Sequence, residues 1–198
     1  MDAFSSHVGQ VVPLRRSSVD TDQIIPARFV KRTTRHGYRD ALFANLREDP
    51  GFVLNDPAYE DGSILIAGAD FGIGSSREQA VWALQDYGFR VVIAPSFGDI
   101  FRSNASNTGL LTAVVPAQQF DELWNQLERT PDLELRVDLG ARTVATRDGS
   151  WHADVEVPES ARRRLLSGMD AIDETLARSA AIERFEESRS ALKPAVRT

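Results

Sequence analysis

The stretch SILIAGADFGIGSSREQAVWALQDYGFRVVIAP, Ser63 to Pro95, decides the fold. Its opening, SILIAGADF (63–71), alternates apolar with small residues and reads as a strand. Glycines follow at once. In REQAVWALQDYG (77–88), Ala80, Ala83, Leu84 and Tyr87 fall at i, i+3, i+4 and i+7, the apolar stripe of an amphipathic helix. Gly88 stands where such a helix is expected to stop. RVVIAP (90–95) reads as a buried strand. Strand, glycine loop, helix and strand in that order are the signature of a crossover between parallel strands.

Upstream, GQVVPL (9–14) reads as a short strand. RRSSVDTDQIIPARFVKRTTRHGYRDALF (15–43) is rich in charge and turn formers, and Lys31 to Arg39 reads as a mobile loop or a short helix entry. Downstream, SFGDIFRSNASNTGLL (96–111) reads as short helical turns ending at Gly109, with Asn104 and Asn107 satisfying backbone groups, and TAVVP as a strand. AQQFDELWNQLERT sets Phe120, Leu123, Trp124 and Leu127 on one helical face, and Pro131 ends it. Trp82, Phe120 and Trp124 read as core or interface. LELRVDL, RTVATR and WHADVEV alternate, with turns at Gly140 and at Asp148–Gly149, the pattern of an antiparallel meander. Pro158 opens a helix that Gly168 stops. A charged helix over Ala171–Glu187 and a frayed tail, LKPAVRT, complete the chain. The expectation is an α/β domain with a mixed sheet over 1–168, and a C-terminal helix with a flexible tail over 169–198.

Composition narrows the function. The chain has 198 residues, 42% of them hydrophobic and 26% charged, which suits a soluble globular domain. A net charge of −6 argues against nucleic-acid binding. The start, MDAFSSHVGQVVPLRR, lacks the apolar core of a secretory signal, and no apolar run approaches the roughly 18 residues of a membrane span. A cytoplasmic protein is expected. The absence of cysteine excludes disulfides, thiolate metal sites and cysteine nucleophiles from this chain. His7, His36 and His152 are scattered without ligand spacing.

GIGSSR carries the first two glycines of a dinucleotide fingerprint but has Arg77 where the third glycine allows close helix–strand packing. It also lacks the lysine of a P-loop and the G-x-S-x-G of a nucleophile elbow. Ser75-x-x-Glu78 fits a capping box. The same residues support a second reading: two hydroxyls, free helix N–H groups and a guanidinium make a carboxylate receptor.

DFGIGSSREQAVWAL, followed by GFRVVIAPSFGDIFRSNASNTGLL and preceded by VDTDQIIPARFVKRTTRHGY, closely resembles the small subunits of 3-isopropylmalate dehydratase. In that family the swivel domain of aconitase is made as a separate chain. The resemblance runs from about residue 9 to 180 and rests on three motifs in register. It implies a three-layer β/β/α swivelling domain, like the fourth domain of aconitase. It also implies stereospecific isomerisation of 2-isopropylmalate and 3-isopropylmalate through 2-isopropylmaleate, a hydro-lyase reaction of leucine biosynthesis.

Carried over by motif, Ser75 is the catalytic base that removes the carbon-bound proton. Ser76 and Arg77 bind a substrate carboxylate, and Glu78 holds the turn. Asp22 lies near the substrate, orienting Ser75 or an arginine, while Asp20 is structural. The cationic run Arg28, Lys31, Arg32, Arg35 and Arg39 reads either as a solvated face or, by resemblance, as a substrate-recognition loop with Arg35 first and Arg32 second, hinged at Gly37 and mobile over 30–38. Arg28 and Thr33 depart from the apolar residues of the family pattern. The family uses a 4Fe-4S cluster, which needs thiolate ligands. With no cysteine here, the resemblance implies that the cluster sits on a separate large subunit and that this chain works only in a heteromer. Related hydro-lyases acting on homocitrate, methylmalate or citrate share the serine motif and remain open. So does a stand-alone module for small anions, which would keep the arginines but not need Ser75.

Overall fold

The structure, a computed structural model, describes residues 1–189. In chain order the elements are β1 (Ser6–Leu14), α1 (Thr21–Ile24), β2 (Ile64–Ala67), α2 (Glu78–Tyr87), β3 (Val91–Ala94), α3 (Asp99–Thr108), β4 (Leu111–Val114), α4 (Ala117–Arg129), β5 (Glu134–Asp138), β6 (Thr143–Thr146), β7 (His152–Asp154), α5 (Glu159–Ser167), α6 (Ala171–Leu176) and α7 (Ser179–Glu187). Short 3-10 turns fill the passage between α1 and β2.

The strands form one mixed sheet in the order β4-β3-β2-β1-β5-β6-β7. β1 to β4 pair in parallel, and β5 to β7 add antiparallel on the far side of β1. Just past β7, Glu156 exchanges main-chain hydrogen bonds with Val114 of β4, at 2.8 and 3.3 Å. The two ends of the sheet therefore meet, and its parallel and antiparallel halves face each other. Ile64, Ile66, Val91 and Ile93 point into the space between the halves and pack with Leu135, Val137, Val144 and Trp151. The alternate residues Leu65, Ala67, Val92 and Ala94 point the other way, against α2 and α3. Side chains of one strand lie on opposite faces in turn. Two buried layers thus lie between two sheets and one layer of helices, the expected β/β/α arrangement.

Several local expectations need correction. The strand over 63–71 ends at Ala67. Gly68 N–H bonds to Arg16 O, and Asp70 turns the chain at φ 61. Residues 96–111 hold one regular helix, α3, rather than separate turns, and Asn104 and Asn107 lie inside it. The C-terminal helix is broken between Leu176 and Ser179, where Arg178 N–H closes a tight turn on Thr175 O. The tail LKPAVRT lies outside the described residues.

The parallel strands end together, and the loops that follow β1, β2 and β3 collect at their C-terminal edge, the usual ligand position in such sheets. A cluster of rings floors this edge. Phe71 meets Phe101 edge-on at 5.3 Å and Phe97 at 6.3 Å. Gly72 lies on the floor with φ +75, and a Cβ there would come within 2.3 Å of the Phe101 ring. Gly72→Ala is expected to lower unfolding stability by at least about 2 kcal/mol in a denaturant titration, from the strained backbone and the overpacked ring. An unchanged midpoint would mean that the floor is not packed against this loop.

Candidate functional site

The loop from Gly68 to Arg77 is held from below by main chain. Gly72 N–H bonds to Val19 O at 2.7 Å, and Thr21 N–H bonds to Ile73 O at 2.9 Å. Asp20 and Ile73 form a parallel bridge, so the loops after β1 and β2 run side by side like a short ladder. Phe71 N–H and Gly98 N–H tie the same loop to the one after β3. Gly74, at φ +96, then turns the chain outward.

Ser75 and Ser76 emerge exposed from this frame. Ser75 does not cap α2: the N-cap is Arg77, with no side-chain cap bond, and Glu78 is the first helical residue. The expected capping box, with Glu78 holding the turn, is therefore absent here. A capping box does occur, between Asp170 and Asp173 at the start of α6. The Ser75 carbonyl accepts instead from Thr21 Oγ1 at 3.0 Å, and the two side-chain oxygens lie 3.4 Å apart. The backbone N–H groups of Ser76, Arg77, Glu78 and Gln79 find no acceptor among the described residues. Uncapped donors make this helix start a positive end, and Ser75 precedes its first residue by three positions.

Arg77 is the fixed cation of this edge. Its Nη1 and Nη2 grip both oxygens of Asp22, the second at 2.9 Å, and Nη1 also donates to Ile25 O at 3.2 Å. The Arg77 side chain is 18% exposed against 59% for Asp22. A guanidinium has five N–H donors in a rigid fork. Asp22 takes the end of the fork, leaving Nε–H and the second Nη2–H, which share one side, without a partner among the described residues. That free side matches a bidentate carboxylate. Asp20 is structural, as expected: its side chain caps α1 by accepting from Gln23 N–H at 2.7 Å.

Neither Arg32 nor Arg35 contacts Ser75, Ser76, Arg77 or Asp22. Arg32 makes a bidentate pair with Asp40, 2.7 Å on each arm, and lies over the Phe29 ring. These hydrogen bonds hold the Asp40 carboxyl below its ordinary range and raise the Arg32 guanidinium. Arg35 is exposed and lines a groove of about 470 Å³ with His36, Trp82, Asp86 and Arg90. That groove flanks the C-terminal half of α2, whereas Ser75 precedes its first turn. From Glu78 to Asp86 the helix rises about 12 Å. The structure brings Ser75, Ser76, Arg77 and Asp22 together and leaves the loop arginines apart.

Sequence reasoning missed Thr21, which holds Ser75, and Asp86, which holds the loop. Asp86 accepts from Gly37 N–H at 2.8 Å and Tyr38 N–H at 2.9 Å. No group of metal-binding side chains occurs among the described residues, and no helix there is long and apolar enough to cross a membrane.

A sheet folded onto itself, carrying a Gly-Ser-Ser-Arg loop at the ends of its parallel strands, is the architecture of an aconitase-type swivel domain. The family model of the aconitase C-terminal domain matches residues 1–118. The chain is 55% identical to a 3-isopropylmalate dehydratase small subunit of Kineococcus radiotolerans, with 98% of this chain and 96% of that one covered. It is 53% identical to the small subunit of Acidothermus cellulolyticus, with 100% and 99% covered. A crystal structure of 3-isopropylmalate dehydratase from Methanocaldococcus jannaschii superposes with a TM-score of 0.67 at 26% identity, covering 91% of this chain and 99% of that one. The chain belongs to the family of 3-isopropylmalate dehydratase small subunits.

The loop anchor can be tested alone. Asp86→Ala removes a charged acceptor from two N–H groups and is expected to speed amide exchange at Gly37 and Tyr38 by at least about tenfold. Exchange unchanged at both positions would contradict the anchoring role.

Proposed function

We propose that this chain is the metal-free half of a 3-isopropylmalate dehydratase, and that Ser75 is the base of the reaction. What supports the reading is the loop itself: an exposed Ser75 held by Thr21, unpartnered N–H donors on the four residues that follow it, and Arg77 with one side of its fork unpaired. Identities of 50–55% to small subunits over nearly the full length favour isopropylmalate over the related hydroxy-diacids.

The substrate is a dianion. One carboxylate docks on Nε and Nη2 of Arg77, with Ser76 as an added donor, and Asp22 keeps the guanidinium in that orientation. Docking sets the carbon-bound proton against Ser75 Oγ. The Ser75 alkoxide takes that proton, the C–H pair becomes the double bond of the unsaturated diacid, and the C–O pair leaves the neighbouring carbon with the oxygen as hydroxide, which the partner's side of the site would receive. Re-addition of water in the opposite sense, with Ser75 returning the proton, yields the isomer.

A serine alkoxide demands strong stabilisation. A helix start contributes about 0.3–2 kcal/mol, roughly one pKa unit. Several N–H donors and Arg77 must add to it in a site closed to water. Ser75 and Ser76 are exposed in the isolated chain, so closure has to come from a partner surface. The iron–sulfur cluster of such an enzyme does not fit this chain, which has no cysteine and no metal-ligand group among the described residues. The large subunit is its assigned holder, and the steps given to this chain do not involve it. Arg35 and Arg32 enter the proposal as loop groups that read the substrate only after the loop leaves its Asp86 and Asp40 anchors.

The test is reconstitution with a cluster-bearing large subunit, following absorbance of the unsaturated diacid. Turnover is expected only with both chains. Ser75→Ala lowers kcat by about 10²–10⁴-fold while substrate binding survives. Arg77→Lys, which cannot offer a fork, weakens binding by about tenfold to a hundredfold. Normal turnover in Ser75→Ala would remove the serine from its role, and no turnover with both parent chains would leave an anion-binding module.

A further inference from the structure

We infer that Thr21 is a positioning residue for Ser75: its hydroxyl proton shifts from the Ser75 carbonyl to Ser75 Oγ when that oxygen is an alkoxide. The inference rests on the reading of Ser75 as the base.

Thr21 is 3% exposed, so it cannot touch a substrate in the open edge. Its backbone is fixed, with N–H on Ile73 O at 2.9 Å and its carbonyl accepting from Ile25 N–H at 2.9 Å. A β-branched side chain so held has little freedom at χ1. Its Oγ1 faces two acceptors of one residue, Ser75 O at 3.0 Å and Ser75 Oγ at 3.4 Å. A threonine hydroxyl carries one proton, so it serves one acceptor at a time.

While Ser75 is protonated, the nearer carbonyl holds the Thr21 proton, and Ser75 Oγ–H can donate to a Thr21 lone pair. When Ser75 is an alkoxide, the ranking inverts. A hydroxyl bound to an oxyanion makes a bond of about 2.5–2.7 Å, roughly twice as strong as a neutral one. Reaching it takes a turn about the Cβ–Oγ1 bond of Thr21 and a small rotation of Ser75 toward it. No proton leaves Thr21. The proton from the substrate carbon lands on Ser75 Oγ, and Thr21 then returns to the carbonyl. Thr21 thus adds a donor from the buried side of the loop.

The experiment uses the complex with the large subunit and compares Thr21→Val, Thr21→Ser and Ser75→Ala. Thr21→Val keeps the shape and loses the donor. Its kcat is expected to fall about tenfold to a hundredfold. KM stays within about twofold, because no ground-state substrate contact is lost. The acid limb of the kcat–pH profile moves up by about one unit, since the alkoxide has lost a stabilising donor. Thr21→Ser restores both kcat and the limb. Thermal melting of each isolated chain separates these effects from folding, and Thr21→Ala, read in the same way, replaces Thr21→Val if the latter does not fold. A hydroxyl-free variant with the parent's kcat and pH limb overturns the inference. So does equal loss in Thr21→Val and Thr21→Ser. Full activity in Ser75→Ala would instead remove the base assignment itself.

Discussion

The bond from Thr21 N–H to Ile73 O, with Gly72 N–H on Val19 O beside it, is the constraint on which the site depends. Two loops that leave adjacent parallel strands are stitched there main chain to main chain. The stitching sets the height and direction of everything from Ile73 to Arg77. It requires a chain that can double back, and Gly72 and Gly74 supply positive φ on either side of Ile73. The ring cluster below gives the loop a stiff floor. A nucleophilic or basic hydroxyl on a loop is useful only if rigid elements hold it, and here the holding is done by backbone and by one buried threonine.

From that anchor the electrostatics of the edge follow. Asp22 lies one residue past Thr21, at the start of α1, and its carboxylate takes only the end of the Arg77 fork. A pairing with the side of the fork would have left nothing for a ligand. The arrangement is half-built: two exposed hydroxyls next in the chain to a cation with one side unpaired. In water such groups interact weakly with a developing charge, and they gain strength when water is excluded. An exposed serine next in the chain to unpartnered donors, on a chain without thiolates, suits the proposal of a subunit that completes a site held elsewhere.

Much of the fold was legible. Unbroken apolar runs in ILIA and VVIA, with helical spacing between them, mark buried parallel strands and a crossover whatever the rest of the chain does. The antiparallel strands announced themselves differently, by alternation of buried and exposed positions. The α3 helix did not, because Ser and Asn are weak helix formers and its stability comes from burying Phe101 and Ala105 against the ring floor and α2. The proposal for Ser75 rests on motifs in register, and the local capping rule applied to the same residues misled. Ser-x-x-Glu satisfies a capping box on paper, yet Gly74 and the tie to Thr21 pull Ser75 out of the N-cap position. Thr21 itself was invisible, since its contact spans 54 residues of chain. The cationic loop carried no signal that separates an arginine paired with Asp40 from one waiting for a substrate.

The most direct test is a crystal structure of the two subunits together with an unreactive hydroxy-diacid analogue in the site. The account predicts Ser75 Oγ about 3–3.5 Å from the carbon that would lose its proton, the reach of a near-attack geometry. It also predicts one carboxylate seated on Nε and Nη2 of Arg77, with the pocket wall contributed by the large subunit. An analogue bound with its carboxylates on other groups and Ser75 turned toward solvent would contradict it.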